Sequence, residues 1–312
     1  MTRISGITPS GHAQLGNYLG AIRRWAADGA DGDLYFVSDL HAMTTAYHPQ
    51  RLRSLARETL AILVAAGIPQ DRVFVQSDLI REIGALTWVL ECTCTYGEAS
   101  RMTQFKEKSR SKGVQGVRVG LFTYPVLMAA DILLQGATEV PVGADQAQHV
   151  ELARALARRF NTTYGDVFAV PEAVTPPAAA RVRDLAKPTR KMSKSTRDSA
   201  GVVALLDDPD VVRRKIRRAV TDEDGVANLL EILAACTGKS TDELASAYAG
   251  NEALKEAVTE AVVEQLRPMR EGALALLADP ASLDQVQAAG ADMARRRGEH
   301  RLAAALRMAG AS

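Results

Sequence analysis

An α/β protein with a doubly wound parallel sheet in its first half and an all-helical second half is what three features of this sequence predict. Short apolar runs rich in β-branched residues alternate with helical stretches over roughly the first 170 residues. A glycine-rich turn, Gly6-Ile7-Thr8-Pro9-Ser10-Gly11, follows the first run and opens a helix. Past the basic stretch around Lys187 to Arg197 the strand pattern stops and the apolar residues keep helical spacing.

In chain order, candidate strands cover 3–7, 33–38, 72–76 and 139–142. The helices between them begin near Gly16, Pro49, Glu82, Tyr124 and Gln146. Gly67-Ile68-Pro69 ends the second of these helices with a glycine stop and a proline beyond it. A proline-bearing stretch from Pro171 to Pro177 reads as the seam between two domains, 1–182 and 183–312. In the second domain Leu254, Val258, Val262 and Leu266 form one apolar helical stripe, and 283–308 is a further helix, free to pack back on the first domain.

The composition narrows the class of function. The 312 residues carry 38 basic against 37 acidic side chains, a formal net charge of +1, so a nucleic-acid partner must be met by local patches. No apolar run reaches the roughly 18 to 20 residues of a membrane span and the N-terminus has no secretory pattern, which predicts a cytoplasmic protein with no membrane partner. The three cysteines, Cys92, Cys94 and Cys236, and the five histidines lack metal-site spacing, so no bound metal is expected and the cysteines read as small apolar helix residues.

Two segments far apart in sequence carry the chemistry together. The glycine turn continues through Leu15-Gly16-Asn17-Tyr18-Leu19-Gly20, where backbone N–H groups and a helix dipole can receive phosphate. Lys191-Met192-Ser193-Lys194-Ser195 sets two ammonium groups three residues apart on a hydroxyl-rich loop, suited to charge developing on a triphosphate. Read alone, the first is a common tight turn and the second a solvated basic loop. Asp131 interrupts the apolar face of 123–134, where a carboxylate is costly without a partner; it either meets a ligand or caps within its helix.

These strings resemble tryptophanyl-tRNA synthetases of bacterial type, class I aminoacyl-tRNA synthetases. Pro-Ser-Gly followed by Gly-Asn-Tyr-Leu-Gly-Ala is similar to the first signature, with Gln14-Leu15-Gly16-Asn17 in the place of the His-x-Gly-His element, and 191–195 matches the second. The resemblance implies a Rossmann-like catalytic domain for ATP and tryptophan and a helical anticodon-binding domain. It implies a tryptophan–tRNA ligase, which makes tryptophanyl-adenylate and pyrophosphate and then charges tRNA(Trp). It also implies a homodimer, with ATP as substrate and Mg²⁺ held through the phosphates.

By the same resemblance Lys191 and Lys194 neutralise the leaving pyrophosphate, and Lys108 is a further catalytic cation on ATP or else part of an exposed charged helix end. Thr8, Pro9, Ser10, Gly16, Asn17, Gly143, Ala144, Asp145, Val182, Met192, Ser193 and Ser195 join those two loop lysines around ATP. For tryptophan, Asp131 accepts the indole N–H, Met128, Val140 and Val142 pack on the ring, and Ile4 closes the slot. Gln146 reaches the amino acid's polar end, Tyr124 joins the tryptophan-binding residues, and His41 is either pocket wall or a satisfied structural histidine. Indole only donates, so an acceptor at the end of an apolar slot rejects phenylalanine, on the scale of roughly 10⁴-fold, while tyrosine is left to slot shape.

Arg213, Arg214, Lys215, Arg217 and Arg218, and then Arg295-Arg296-Arg297, are the densest basic clusters, either tRNA contacts or solvated faces. The match departs at Thr8, where the family usually has Gln, at Ala144 in place of Glu, and after Gly225, where a segment usual in bacterial members is missing. Both signatures survive, leaving a divergent or auxiliary copy open. The competing readings are another adenylate-forming enzyme on the same fold, and a non-catalytic paralogue, which would be expected to have lost lysines from 191–195.

Overall fold

The computed structural model describes residues 1–102, 118–143, 146–175, 181–194, 199–248 and 250–311. Strands β1 (Ile4–Ile7), β2 (Leu34–Val37) and β3 (Val73–Val75) pair in parallel, with Ile4 opposite Leu34 and Tyr35 opposite Val73. Strands β4 (Glu139–Pro141) and β5 (Glu172–Val174) form a second parallel pair. A parallel bridge between Arg3 and Glu139, backed by their 2.9 Å ion pair, joins the two. The spatial order is therefore β5-β4-β1-β2-β3, which reverses direction between β1 and β4 and so opens a crevice beyond their carboxyl ends.

The four expected strands stand within one or two residues of their sequence bounds, but β5 falls inside the stretch expected to be an interdomain seam. Three residues at a sheet edge, with Glu172 and Ala173 exposed and prolines on either side, leave no apolar pattern to read. One helix also starts earlier than its sequence pattern suggests. The chain 119–124 is rich in Gly, β-branched and aromatic residues, and Pro125 reads naturally as a first-turn proline, yet it lies inside the helix Val119–Gln135.

Helix α1 (Leu15–Asn17), a π-helical turn (Tyr18–Ile22) and α2 (Arg23–Asp28) follow β1. They are followed by α3 (Asp39–Ala42), α4 (Pro49–Ala65), α5 (Ile80–Thr93), α6 (Tyr96–Ser100), α7 (Val119–Gln135) and α8 (Ala147–Tyr164). The second half contributes α9 (Pro209–Arg217), α10 (Glu223–Thr237), α11 (Thr241–Ala247), α12 (Asn251–Ala278) and α13 (Pro280–Met308). The stripe Leu254, Val258, Val262 and Leu266 is buried throughout and continues to Met269 and Ala273, packing α12 against α4 and α10. One apolar cluster runs from Ile7 and Val75 of the sheet through this stripe to Leu283, so the helices after 183 share a core with one face of the sheet. None of the helices in the described residues is long and apolar enough to cross a membrane.

The final helix returns to the sheet. A Cβ on Gly290 would lie 1.8 Å from the carbonyl oxygen of Val73, so only glycine lets α13 approach β3 this closely. Arg297 and Arg301 donate to the carbonyls of Gln135 (3.0 Å) and Leu134 (3.1 Å), satisfying the open C-terminal end of α7. Arg295 reaches Glu82 Oε1 and the carbonyl of Asp78, each at 2.9 Å. The 295–297 cluster considered for tRNA is thereby corrected: Arg295 ties α13 to the start of α5 and the turn before it, Arg297 ties it to the C-terminal end of α7, and Arg296 pairs with Asp292 at the surface. On α9, Arg213, Arg214, Arg217 and Arg218 are exposed, whereas half-buried Lys215 pairs with Asp207 at 2.7 Å.

Candidate active site

The crevice at the switch point between β1 and β4 holds a cavity of about 440 Å³. Ile4, Thr8, Ser10, His41, Tyr124, Met128, Asp131, Val140, Val142 and Gln146, ten residues singled out in the sequence, all line it. Ile4 enters from β1, Val140 and Val142 from β4 and the turn after it, and Met128 and Asp131 from α7, so four apolar side chains surround one carboxylate. Ser5 Oγ lies 3.4 Å from the carbonyl of Pro141 across the switch point.

Asp131 is 1 % exposed. Its Oδ1 and Oδ2 accept from Gln76 Nε2 at 2.9 and 2.7 Å, and Oδ2 lies 3.1 Å from His41 Nε2. Burial raises its pKa, and His41 and Gln76 oppose that rise by favouring the anion. His41 is thus both pocket wall and structural partner, and among the described residues its buried Nδ1 has no hydrogen-bond partner. Tyr124 stands edge-on to His41, its hydroxyl 2.7 Å from His149 Nε2. Capping within the helix is not what Asp131 does: its partners come from β3's end and from α3.

A second cluster brings the two signatures into contact. Lys194 Nζ donates to the carbonyl of Thr8 at 2.9 Å, and Gln14 Nε2 donates to the carbonyl of Met192 at 3.0 Å. The glycine-turn segment also pairs with the chain beyond the lysine loop, through Leu15 N to Val203 O and Leu205 N to Ala13 O, each 2.9 Å. Gly16 lies against Val182, and Asn17 Oδ1 accepts from Gln14 N at 3.1 Å. Thr8, the departure from the family pattern, hydrogen-bonds Ser38 through its hydroxyl at 2.9 Å. Burial lowers the pKa of half-buried Lys194 to about 8, with Glu58, itself bound to His12, pulling the other way.

The remaining positions are spread around these two clusters. Pro9 is buried beside an adjoining cleft, Lys191 and Gly143 are exposed, and Ser193 is half-buried. Lys108, Ala144, Asp145 and Ser195 lie outside the described residues. Gln76, which is fully buried, was not legible as a site residue, nor were Ser5, Phe36, Ser38 and Ile132. A polar residue at the carboxyl end of a parallel strand, where ligands of this fold sit, is the signal that would have found Gln76.

Gly11 sits beneath the carbonyl of Lys194, where a Cβ would come within 2.5 Å of the oxygen. Gly11→Ala is therefore expected to push the 191–194 segment off the glycine turn at a cost of about 1–3 kcal/mol. Steady-state kinetics would show a raised KM for ATP with tryptophan affinity unchanged.

A doubly wound sheet whose switch-point cavity adjoins a glycine turn clamped to a lysine loop defines a class I synthetase. Residues 1–277 match the class I tRNA synthetases (W and Y), and the chain belongs to that family. It is 53% identical over 313 residues to tryptophan–tRNA ligase 1 of Streptomyces coelicolor, covering 95% of this chain and 93% of that one. It is 45% identical to tryptophan–tRNA ligase of Clostridium perfringens, covering 93% and 91%. Among solved structures, tryptophanyl-tRNA synthetase from Campylobacter jejuni complexed with ADP and tryptophan superposes with a TM-score of 0.86, at 29% identity, covering 99% of this chain and 100% of that one.

Proposed function

We propose that this protein is a tryptophan–tRNA ligase that activates tryptophan with ATP and transfers it to tRNA(Trp). The observation that carries the reading is the buried acceptor Asp131 at the wall of an apolar cavity on the switch point, beside the joined signatures. An oxygen of the tryptophan carboxylate attacks the α-phosphorus of ATP. The bond to the bridging oxygen breaks, and pyrophosphate leaves with its electron pair. A terminal ribose hydroxyl of tRNA then attacks the activated carbonyl, loses its proton, and expels AMP. Mg²⁺ enters with the ATP phosphates as part of that substrate and offsets their charge.

The chain's own contribution is alignment and charge. Lys194 and Lys191 meet the departing phosphates, with Lys108 the third cation of the proposal. Asp131 takes the indole N–H, Met128, Val140 and Val142 sandwich the ring, and Tyr124 and Gln146 hold the amino acid's polar end. Gly16, Asn17 and Val182 receive the nucleoside, and the exposed arginines of α9 are offered to tRNA. The reaction belongs to the cytoplasm, where tRNA is charged. ATP–pyrophosphate exchange across tryptophan, tyrosine and phenylalanine, followed by acylation of tRNA, tests the reading; exchange with tyrosine alone overturns it.

A homodimer is part of the same proposal. Trp88 is 68 %, Tyr96 77 % and Val119 76 % exposed on the adjoining helices α5, α6 and α7, an apolar surface of the kind a second copy covers. Trp88→Glu is expected to shift the protein from dimer to monomer in sedimentation velocity. A wild-type protein that sediments as a monomer at micromolar concentration would remove this part of the proposal.

A further inference from the structure

We propose that Gln76 is a specificity-determining positioning residue that fixes the Asp131 carboxylate as an acceptor. The proposal rests on the tryptophan-ligase reading of the cavity. Gln76 is 0 % exposed, and both hydrogen-bonding atoms of its side chain are accounted for within the site. Its Oε1 accepts from Leu40 N at 3.1 Å, which sets the amide orientation and aims Nε2 at both oxygens of Asp131, 2.9 and 2.7 Å away. One side chain therefore holds the carboxylate and the backbone next to His41, the other group bonded to that carboxylate.

The shell behind Gln76 is fixed as well. Ser77 N donates to Asp39 Oδ1 at 3.0 Å, and Gln287 of α13 donates to both oxygens of Asp78 at 2.9 Å. Along the chain, the three residues from Gln76 to Asp78 are tied in turn to α7, α3 and α13. Such a site leaves the amide little freedom to turn away from Asp131.

The donors decide what Asp131 can recognise. With Gln76 and His41 in place, the carboxylate has two bonds on Oδ2 and one on Oδ1, so Oδ1 has the capacity to take an incoming N–H. Deprived of the Gln76 amide, a carboxylate buried to 1 % exposure keeps one donor and takes up a proton more readily. A protonated acid donates as well as accepts, so the slot would no longer demand an N–H from the ring. Gln76 thus acts on the choice of substrate through Asp131 and touches none of the reacting atoms.

The test compares tryptophan with 3-(benzothien-3-yl)alanine, which keeps the fused-ring shape but has no ring N–H, in ATP–pyrophosphate exchange. Wild type is expected to favour tryptophan. Gln76→Met should lower that ratio of kcat/KM by about 10- to 100-fold, the scale of one hydrogen bond to a charged group, through KM for tryptophan with kcat little changed. Gln76→Glu, which keeps the shape and sets carboxyl against carboxyl, should lower the ratio too and serves if the methionine variant does not fold. In an Asp131→Asn background either change should leave the ratio where it is. A ratio unmoved by both variants, or equal losses for both substrates, overturns the inference while the ligase reading stands. Wild type that fails to activate tryptophan overturns both.

Discussion

Lys194→Ala lowers ATP–pyrophosphate exchange at saturating substrates by about 10² to 10³-fold, the effect of removing one preorganised contact worth about 3 kcal/mol in the transition state. Tryptophan affinity, read by equilibrium dialysis, stays where it was, because Lys194 contacts the glycine turn and does not line the tryptophan cavity. The ammonium donates to the carbonyl of Thr8, which places it on the glycine turn that receives the phosphates. The burial that holds it there also lowers its pKa from the ordinary lysine value to about 8. The cation is therefore fully present only below that pH. As pH rises through 8, kcat/KM for ATP should fall in wild type, whereas kcat should hold to higher pH because bound phosphates favour the protonated form. In Lys194→Ala this alkaline limb should disappear. An exchange rate equal to wild type would remove Lys194 from the mechanism.

Sequence patterns revealed the frame of this site because the frame is periodic and the patterns are local. Four β-branched runs became β1 to β4, and the every-fourth-residue stripe became the buried face of α12. The two signatures announced a phosphate site because glycines and paired lysines have few other uses together. What holds the site in place was far less legible. Nothing local marks Leu15 N for Val203 O, or Arg297 for the end of α7, since each bond joins groups whose meeting depends on the whole fold. Strand β5 hid among prolines and exposed residues. Gln76 looked like the polar end of a strand, and only the partners at its amide reveal a site residue. The arginines at 295 and 297 show the opposite failure: a charge run suggested an outside partner, and the partners are the protein's own backbone at Asp78 and at the end of α7.

Asp131→Asn is expected to raise KM for tryptophan by about 10- to 100-fold with kcat in exchange changed far less, because the lost interaction binds the ring rather than the reacting atoms. Asparagine keeps the shape and one acceptor oxygen, but its NH₂ group faces a site already supplied with donors from Gln76 and His41. Either that amide meets a donor head-on or its oxygen turns to Gln76 and its NH₂ confronts the indole N–H. Both arrangements leave a buried polar group badly matched. Asp131→Ala goes further, leaving Gln76 and His41 without their acceptor, and should also lower the melting temperature, a loss Asp131→Asn should show only weakly. The selectivity follows from the same geometry. Phenylalanine brings no donor, so its penalty in wild type arises from an unanswered carboxylate, and in Asp131→Asn the preference for tryptophan over phenylalanine should shrink in parallel with the rise in KM. If KM for tryptophan is unchanged in Asp131→Asn, the carboxylate serves only to bind Gln76 and His41, and recognition of the ring nitrogen must be sought elsewhere in the cavity.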